Sequence, residues 1–197
     1  MYAVIGDLVG SRQAGDRAAI HRALVAALAA TNRLVPAEQE LEPTVGDEFQ
    51  GAYARLVDAA HAALLVRLHL LPQVDARAGI GQGDARTLDA ARTPRIQDGP
   101  AWWAAREALV HLGRPRHSAL RTWYAGEGAD AENAYLTCRD GLVERLNERS
   151  HRMLALALAG RTQREVAEAE GVSASAVSQA FARGIGAVRD AERLRRG

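Results

Sequence analysis

The sequence predicts an α+β sandwich followed by an all-helical C-terminal part. Up to Ala125, short apolar runs typical of buried strands alternate with longer segments whose apolar residues recur at helical spacing. From Gly126 onward the sequence contains only helical patterns. Because the glycine-rich stretch at Gly126 is the best linker candidate, we divide the chain into residues 1–127 and 128–197.

The strand predictions rest on short runs of apolar residues that end at glycine or at polar residues. Residues 2–9 are apolar except for Asp7, which is the pattern of a buried strand with one charged position. A second run is interrupted by the glycine and acidic residues at 46–48. We predict strands at residues 2–9, 41–49, 75–83 and 119–124, and a loop at residues 87–97.

The helix predictions rest on apolar spacing together with start and stop residues. Asp16 can accept a hydrogen bond from the first turn of a helix, Pro72 ends a second helix, and Pro100 is typical of a helix start. We predict helices at residues 16–30, 52–71, 98–113, 130–147, 150–159, 162–170 and 174–194.

The composition excludes several function classes. All 25 basic residues are arginine, so no lysine can form a Schiff base. Cys138 is the only cysteine, which rules out an intrachain disulfide, and its helical surroundings predict a small core residue. The net charge of +1 does not by itself indicate a nucleic-acid partner. No apolar run reaches the roughly 18 residues of a membrane span, so we expect no membrane association.

Residues 162–183 carry the residue types that a helix-turn-helix requires. Thr162 can cap the first helix, Gly171 can supply the positive φ of the turn, and Ser173 can cap the second helix. Val177 lies where it would fill the angle between the two helices. The simpler alternative is a helical hairpin that only packs on the first domain.

The second helix of such a unit usually lies in the major groove of duplex DNA, with its N-terminal half against the base edges. Gln can form two hydrogen bonds with adenine, whereas Ser hydroxyls have little base preference. We assign the following residues to the DNA-binding surface: Thr162, Ser173, Ser175, Ser178, Gln179 and Arg183. The longer segment 146–189 resembles region 4 of sigma factors.

Acidic residues recur in the predicted sheet of the first domain. Antiparallel strands could bring Asp7 and Asp47 together, and two clustered carboxylates usually require a divalent cation such as Mg²⁺. A metal held in this way can bind a triphosphate. Two alternatives remain: Asp47 could simply shape a hairpin turn, or an arginine such as Arg12, Arg77 or Arg106 could neutralise Asp7.

Across most of its length the chain resembles the SatD-like family of bacterial proteins. The motifs that carry this resemblance are G-D-L-V-G-S-R at 6–12, V-G-D-E-F-Q-G at 45–51, R-A-G-I-G-Q-G at 77–83, D-G-P-A-W-W-A-A-R-E-A-L at 98–109, and the terminal helix-turn-helix. The resemblance implies an architecture rather than an activity.

The same residues resemble, more distantly, the nucleotide cyclase fold of GGDEF-type diguanylate cyclases, and this implies a ferredoxin-like or nucleotide-cyclase-like α/β sandwich. Asp7 matches the metal-binding aspartate of the first strand, and Asp47 with Glu48 matches the acidic pair of the hairpin. The chain departs from that pattern at Val45, where the first glycine would be, and Arg106 would have to replace the phosphate-binding lysine.

The resemblance therefore implies metal ligands, ligand-binding residues and one catalytic candidate. The metal ligands would be Asp7 and Asp47, and the catalytic candidate is Glu48. The nucleotide-binding or ligand-binding residues would be Gly46, Asp47, Glu48, Arg77, Asp98 and Arg106. The loss of the glycine at Val45 argues against catalysis.

We expect a DNA-binding transcriptional regulator that is cytoplasmic and associated with the nucleoid. Its N-terminal domain would sense a nucleotide or another small molecule, or form a homodimer on a two-fold symmetric operator. One alternative is a Mg²⁺-dependent nucleotide-binding or nucleotidyl cyclase-type enzyme that uses Asp7 and Asp47. Another is an adaptor that contacts RNA polymerase.

Overall fold

The computed structural model describes residues 1–10, 16–89, 96–117 and 119–197. The strands are β1 (Tyr2–Val9), β2 (Gln39–Pro43), β3 (Glu48–Tyr53), β4 (Asp75–Gln82), β5 (Arg86–Asp89), β6 (Ile96–Asp98) and β7 (Thr122–Ala125). The helices are α1 (Arg17–Asn32), α2 (Leu56–Leu70), α3 (Pro100–Leu112), α4 (Ala129–Glu144), α5 (Glu148–Leu158), α6 (Gln163–Glu170), α7 (Ala174–Ala180) and α8 (Gly186–Arg196). None of these helices is long and apolar enough to span a membrane.

A five-stranded sheet in the order β2-β3-β1-β4-β7 forms the centre of the fold. Strand β1 is antiparallel to both β3 and β4, and β7 is parallel to β4. The segment from β1 to β4 therefore has the β-α-β-β-α-β order of a ferredoxin-like unit. This confirms the predicted α+β class.

Residues of β1 alternate between the two faces of the sheet, as strand geometry requires. Val4 and Leu8 pack into the main core with residues of α1 and α2. Ala3 and Ile5 pack with α3 on the opposite face. The same alternation places Asp7 on the α3 face.

Two glycines of β4 allow the backbone of α3 to lie directly on the sheet. A Cβ atom at Gly79 would lie 2.3 Å from the carbonyl oxygen of Ala105, and one at Gly81 would lie 2.2 Å from that of Ala101. No side chain fits at such distances, so the R-A-G-I-G-Q-G motif has a packing role in the fold.

The C-terminal helices share a core with the sheet-forming part. Leu64 and Leu68 of α2 pack in a cluster with Leu154, Val177 and other apolar residues of the C-terminal helices. Helix α4 packs against β7, and Leu136 of α4 belongs to the main core. The division at residues 127 and 128 stays a prediction, and the parts on its two sides are joined by continuous packing.

Several predicted elements differ from the structure. Residues 52 and 53 belong to β3, not to the second helix, because Tyr53 pairs with Tyr2 in the sheet. The predicted loop at 87–97 contains most of β5 and β6, which form a two-stranded sheet, while residues 90–95 lie outside the described part.

The predicted helix at 174–194 is also interrupted. Gly184 has a φ of 142°, which L-residues rarely adopt, and this breaks the helix between α7 and α8. Cys138 is exposed rather than buried in the core.

Candidate functional site

The local predictions for α6, the turn and α7 are confirmed. Thr162 accepts a hydrogen bond from the backbone N–H of Glu165, and the Glu165 carboxylate accepts one from the backbone N–H of Thr162. Gly171 has a φ of 63°, so it supplies the left-handed turn. The Ser173 hydroxyl accepts a hydrogen bond from the backbone N–H of Ala176 at 3.2 Å.

Apolar contacts hold α6 and α7 at a defined angle. Val166 and Val177 are fully buried where the two helices meet, and Ala167 is almost fully buried. Val172 of the turn packs against the same cluster. Burial of these residues leaves Ser175, Ser178 and Gln179 of α7 exposed, and its cap residue Ser173 and Arg183 of the following segment are exposed as well.

A groove of about 340 Å³ runs between the N-terminal end of α5 and α7. We call it the α5–α7 groove; its lining residues are Arg145, Leu146, Asn147, Arg149, Ser150, Met153, Val172, Ala176, Gln179, Ala180 and Arg183. Gln179 and Arg183, both predicted to contact DNA, therefore lie in one groove with two further arginines. Thr162 lies elsewhere, because it lines a separate cavity and its hydroxyl donates to Glu165.

The arginines of the groove differ from most other arginines of the C-terminal helices. In the part of the chain that the structure describes, Arg145, Arg149 and Arg183 form no ion pair. Six arginines nearby do: the pairs are Arg152–Glu170, Arg161–Glu165, Arg164–Glu168, Arg189–Asp190, Arg195–Glu132 and Arg196–Asp58. The groove thus presents three exposed arginines that form no ion pair with any residue that the structure describes.

The acidic residues of the sheet have the opposite environment. Both carboxylate oxygens of Asp7 accept hydrogen bonds from Arg77, at 2.6 and 2.8 Å. Both carboxylate oxygens of Glu48 accept from Arg106 of α3, at 3.0 and 2.8 Å. The hydrogen bond with Asp7 raises the pKa of Arg77, and the one with Glu48 raises the pKa of Arg106. Asp7 and Glu48 are neighbours across β1 and β3, so the four side chains form one cluster, which we call the paired cluster.

Of the remaining predicted ligand-binding residues, Asp47 is close enough to the paired cluster for its charge to act on Arg77, whereas Asp98 lies apart from it. Gly46 and Asp47 line a small pocket with Arg17 and His21 of α1. Asp98 accepts a hydrogen bond from Trp103 Nε1 at 2.7 Å, at the start of α3. The structure therefore brings Asp7, Glu48, Arg77 and Arg106 together and places Asp98 in a different cavity.

Asp7, one of the two residues predicted to hold Mg²⁺, is paired with an arginine in the structure. Both oxygens of Asp7 point at a guanidinium, which supplies the positive charge that a cation would otherwise supply. Within residues 1–10, 16–89, 96–117 and 119–197, no group of three or more His, Cys, Asp or Glu side chains could hold a metal ion.

A model of the SatD family matches residues 1–120. The chain belongs to the SatD family. Among solved structures, one of a bacterial light-regulated adenylyl cyclase is similar, with 10% sequence identity and a TM-score of 0.48, and the match covers 68% of this chain and 78% of that one. No curated protein matches the chain.

The SatD match includes four of the five strands of the central sheet. It ends before β7 and α4. Glycines within the matched residues allow close packing on the sheet. In addition to Gly79 and Gly81 under α3, a Cβ atom at Gly6 would lie 2.1 Å from the ring of Phe49. The α5–α7 groove lies outside the matched residues.

A buried polar network in this SatD-family protein was missed from the sequence. His61 of α2 lies 2.7 Å from the carboxylate of Glu192 of α8, and both side chains are almost fully buried. Arg139 of α4 donates to Asp140, to Thr122 of β7 and to Glu192. One signal was available: Arg139 and Asp140 follow Leu136 by three and four residues, so they share the buried face of α4.

Burial and pairing act in opposite directions on Glu192. Burial alone raises the pKa of its carboxyl, and the hydrogen bond with His61 and the charge of Arg139 outweigh this and lower the pKa to about 2. The network thus joins α2, α4, β7 and α8 through charges that are compensated inside the protein.

Proposed function

We propose that this protein is a DNA-binding transcriptional regulator in which α7 lies in the major groove of duplex DNA. One observation carries the proposal: three exposed arginines, Arg145, Arg149 and Arg183, line a groove beside α7 and form no ion pair within the described residues. Arginines without an internal partner can bind phosphates, which provide most of the sequence-independent affinity for DNA.

The side chains of α7 support weak base recognition by a single copy. Gln179 is the one exposed side chain of α7 that can form two hydrogen bonds with adenine, whereas Ser175 and Ser178 offer hydroxyls with little base preference. We therefore propose that a homodimer binds a symmetric site, and that the sheet-forming part positions the two copies.

The alternative of a Mg²⁺-dependent nucleotide enzyme receives no support from the paired cluster. In that alternative, the metal ligand Asp7 would have to exchange Arg77 for a cation, and the catalytic candidate Glu48 would have to release Arg106. An adaptor for RNA polymerase stays an alternative that the DNA experiment below addresses, because such an adaptor requires no affinity for free DNA.

We would test the proposal by fluorescence anisotropy with a labelled duplex of random sequence, at a series of salt concentrations. The wild-type protein is expected to bind more weakly as the salt concentration rises. Arg149→Ala and Arg183→Ala should each lower affinity about tenfold and reduce the salt slope by about 0.9. The matched control is Arg22→Ala, which removes the same charge from an exposed site on α1.

Gln179→Ala separates base recognition from phosphate binding. It should leave affinity for random duplex and the salt slope unchanged, and should lower affinity for a duplex selected from genomic fragments. Absence of salt-sensitive binding by the wild type would contradict the proposal. Equal losses in Arg22→Ala and Arg183→Ala would show that the groove has no special role.

A further inference from the structure

A second, larger cavity lies on the C-terminal helices, between α2, the turn from α5 to α6, and α8. It has a volume of about 600 Å³, which is in the range of small-molecule sites. We call it the α2–α8 cavity, and it shares no lining residue with the α5–α7 groove.

Four arginines line this cavity. Arg189, Arg193 and Arg196 are spaced by four and three residues along α8, so they lie on one side of that helix. Arg161 contributes from the α5–α6 turn. Two separate elements, α8 and the α5–α6 turn, therefore contribute positively charged side chains to the lining of the cavity.

The acidic partners of these arginines do not line the cavity. Arg161 pairs with Glu165, Arg189 with Asp190 and Arg196 with Asp58, and none of those three acids is among its lining residues. Arg193 is exposed and forms no ion pair in the described part of the chain. Arg193 is thus the arginine of the cavity that can contact an anion without losing an internal partner.

The acidic residue in the lining of the cavity does not oppose an anion. Glu192 is the one acidic lining residue among the described residues, and it is buried with its carboxylate bonded to His61, Tyr135 and Arg139. The negative charge of Glu192 is therefore compensated inside the protein, chiefly by Arg139.

We propose that the α2–α8 cavity binds a small polyanion of the phosphate class, such as a diphosphate group. A bound anion would contact the α5–α6 turn and α8 together, and the cavity wall includes His61 and Glu192 of the buried network. The site is therefore placed to link a ligand to the orientation of α6 and α7 against the sheet. This inference does not require that the α5–α7 groove bind DNA.

The test is isothermal titration of the full chain with inorganic pyrophosphate at low salt. Saturable binding at one site is expected. Arg193→Gln should weaken it about tenfold, because a charge-assisted hydrogen bond is lost. Arg22→Gln should leave it unchanged. No saturable binding at millimolar pyrophosphate, or equal affinity in the wild type and Arg193→Gln, would overturn the proposal.

A third variant distinguishes an anion site in the α2–α8 cavity from one in the α5–α7 groove. Arg183→Ala should keep the pyrophosphate affinity within about twofold even if it loses DNA binding. If Arg183→Ala removes pyrophosphate binding instead, the anion site lies in the α5–α7 groove and the proposal is wrong. If Arg193→Gln lowers affinity for duplex DNA and the wild type does not bind pyrophosphate, the arginines of the cavity contact DNA phosphates instead.

Discussion

The paired cluster on the sheet and the α5–α7 groove use charge in opposite ways. On the sheet, Asp7 and Glu48 each accept two hydrogen bonds from an arginine, so their charges are satisfied within the protein. In the groove, Arg149 and Arg183 are exposed and have no acidic partner among the described residues. Charges that compensate each other support the fold, whereas charges left without a partner are available to a ligand.

In the buried network, charges compensate each other away from solvent. Removal of its arginine should therefore have the largest effect on the free energy of unfolding. Arg139→Ala would leave Asp140 and Glu192 buried without their main positive partner. The free energy of unfolding should fall by about 3–5 kcal/mol, which urea denaturation would measure.

Arg145→Ala provides the contrast, because Arg145 is exposed at the end of the same helix and lines the groove. Its unfolding free energy should change by less than about 0.5 kcal/mol, while its affinity for duplex DNA falls. If the two variants were equally destabilised, the distinction between compensated and available arginines would not hold.

Acid should weaken the same network. The pKa of Glu192 is lowered from 4.5 to about 2 in the folded protein, so its contribution to stability is complete above pH 4.5 and is lost as the pH falls toward 2. Glu192→Gln should be less stable at neutral pH and should lose less stability between pH 4.5 and 2. Urea denaturation at a series of pH values measures both quantities.

The control for this pH dependence is Glu148→Gln, which changes an exposed acid in the first turn of α5. It should show the same loss of stability on acidification as the wild type. Parallel curves for the wild type and Glu192→Gln would mean that Glu192 does not contribute to acid sensitivity.

The difference between local and long-range interactions explains what the sequence could predict. Asp16, Gly171 and Ser173 were assigned correctly because a cap or a turn depends on a few consecutive residues. The alternation of apolar runs and helical faces was also sufficient for the α+β class. The hydrogen bond between His61 and Glu192 joins residues 131 positions apart, and no local pattern specifies it.

The partner of Asp7 likewise could not be predicted from the sequence alone. The sequence placed Asp7 in a strand and offered both a cation and an arginine as its partner. The choice depends on the register of β1 against β4, which sets Asp7 opposite Arg77. A strand pattern gives the face of each residue but not the residue across from it, so pairing required the structure.

Breaking that pair should have only a modest effect on the free energy of unfolding. Asp7 and Arg77 are both partly exposed, so Arg77→Ala should lower the free energy of unfolding by only about 1 kcal/mol. The more informative change is electrostatic. Without Arg77, Asp7 loses its ion-pair partner beside Glu48, its neighbour on β3, and a divalent cation would reduce the repulsion between the two carboxylates.

Mg²⁺ titration calorimetry would decide whether Arg77 takes the place of a cation. The wild type is expected to give no saturable heat at millimolar Mg²⁺, and Arg77→Ala should gain saturable binding that Asp7→Asn in the same chain removes. If the wild type binds Mg²⁺ as tightly as Arg77→Ala, the arginine does not substitute for the metal. Asp7 and Glu48 would then be available to a ligand, as the arginines of the α5–α7 groove are. The contrast between the two regions would not hold.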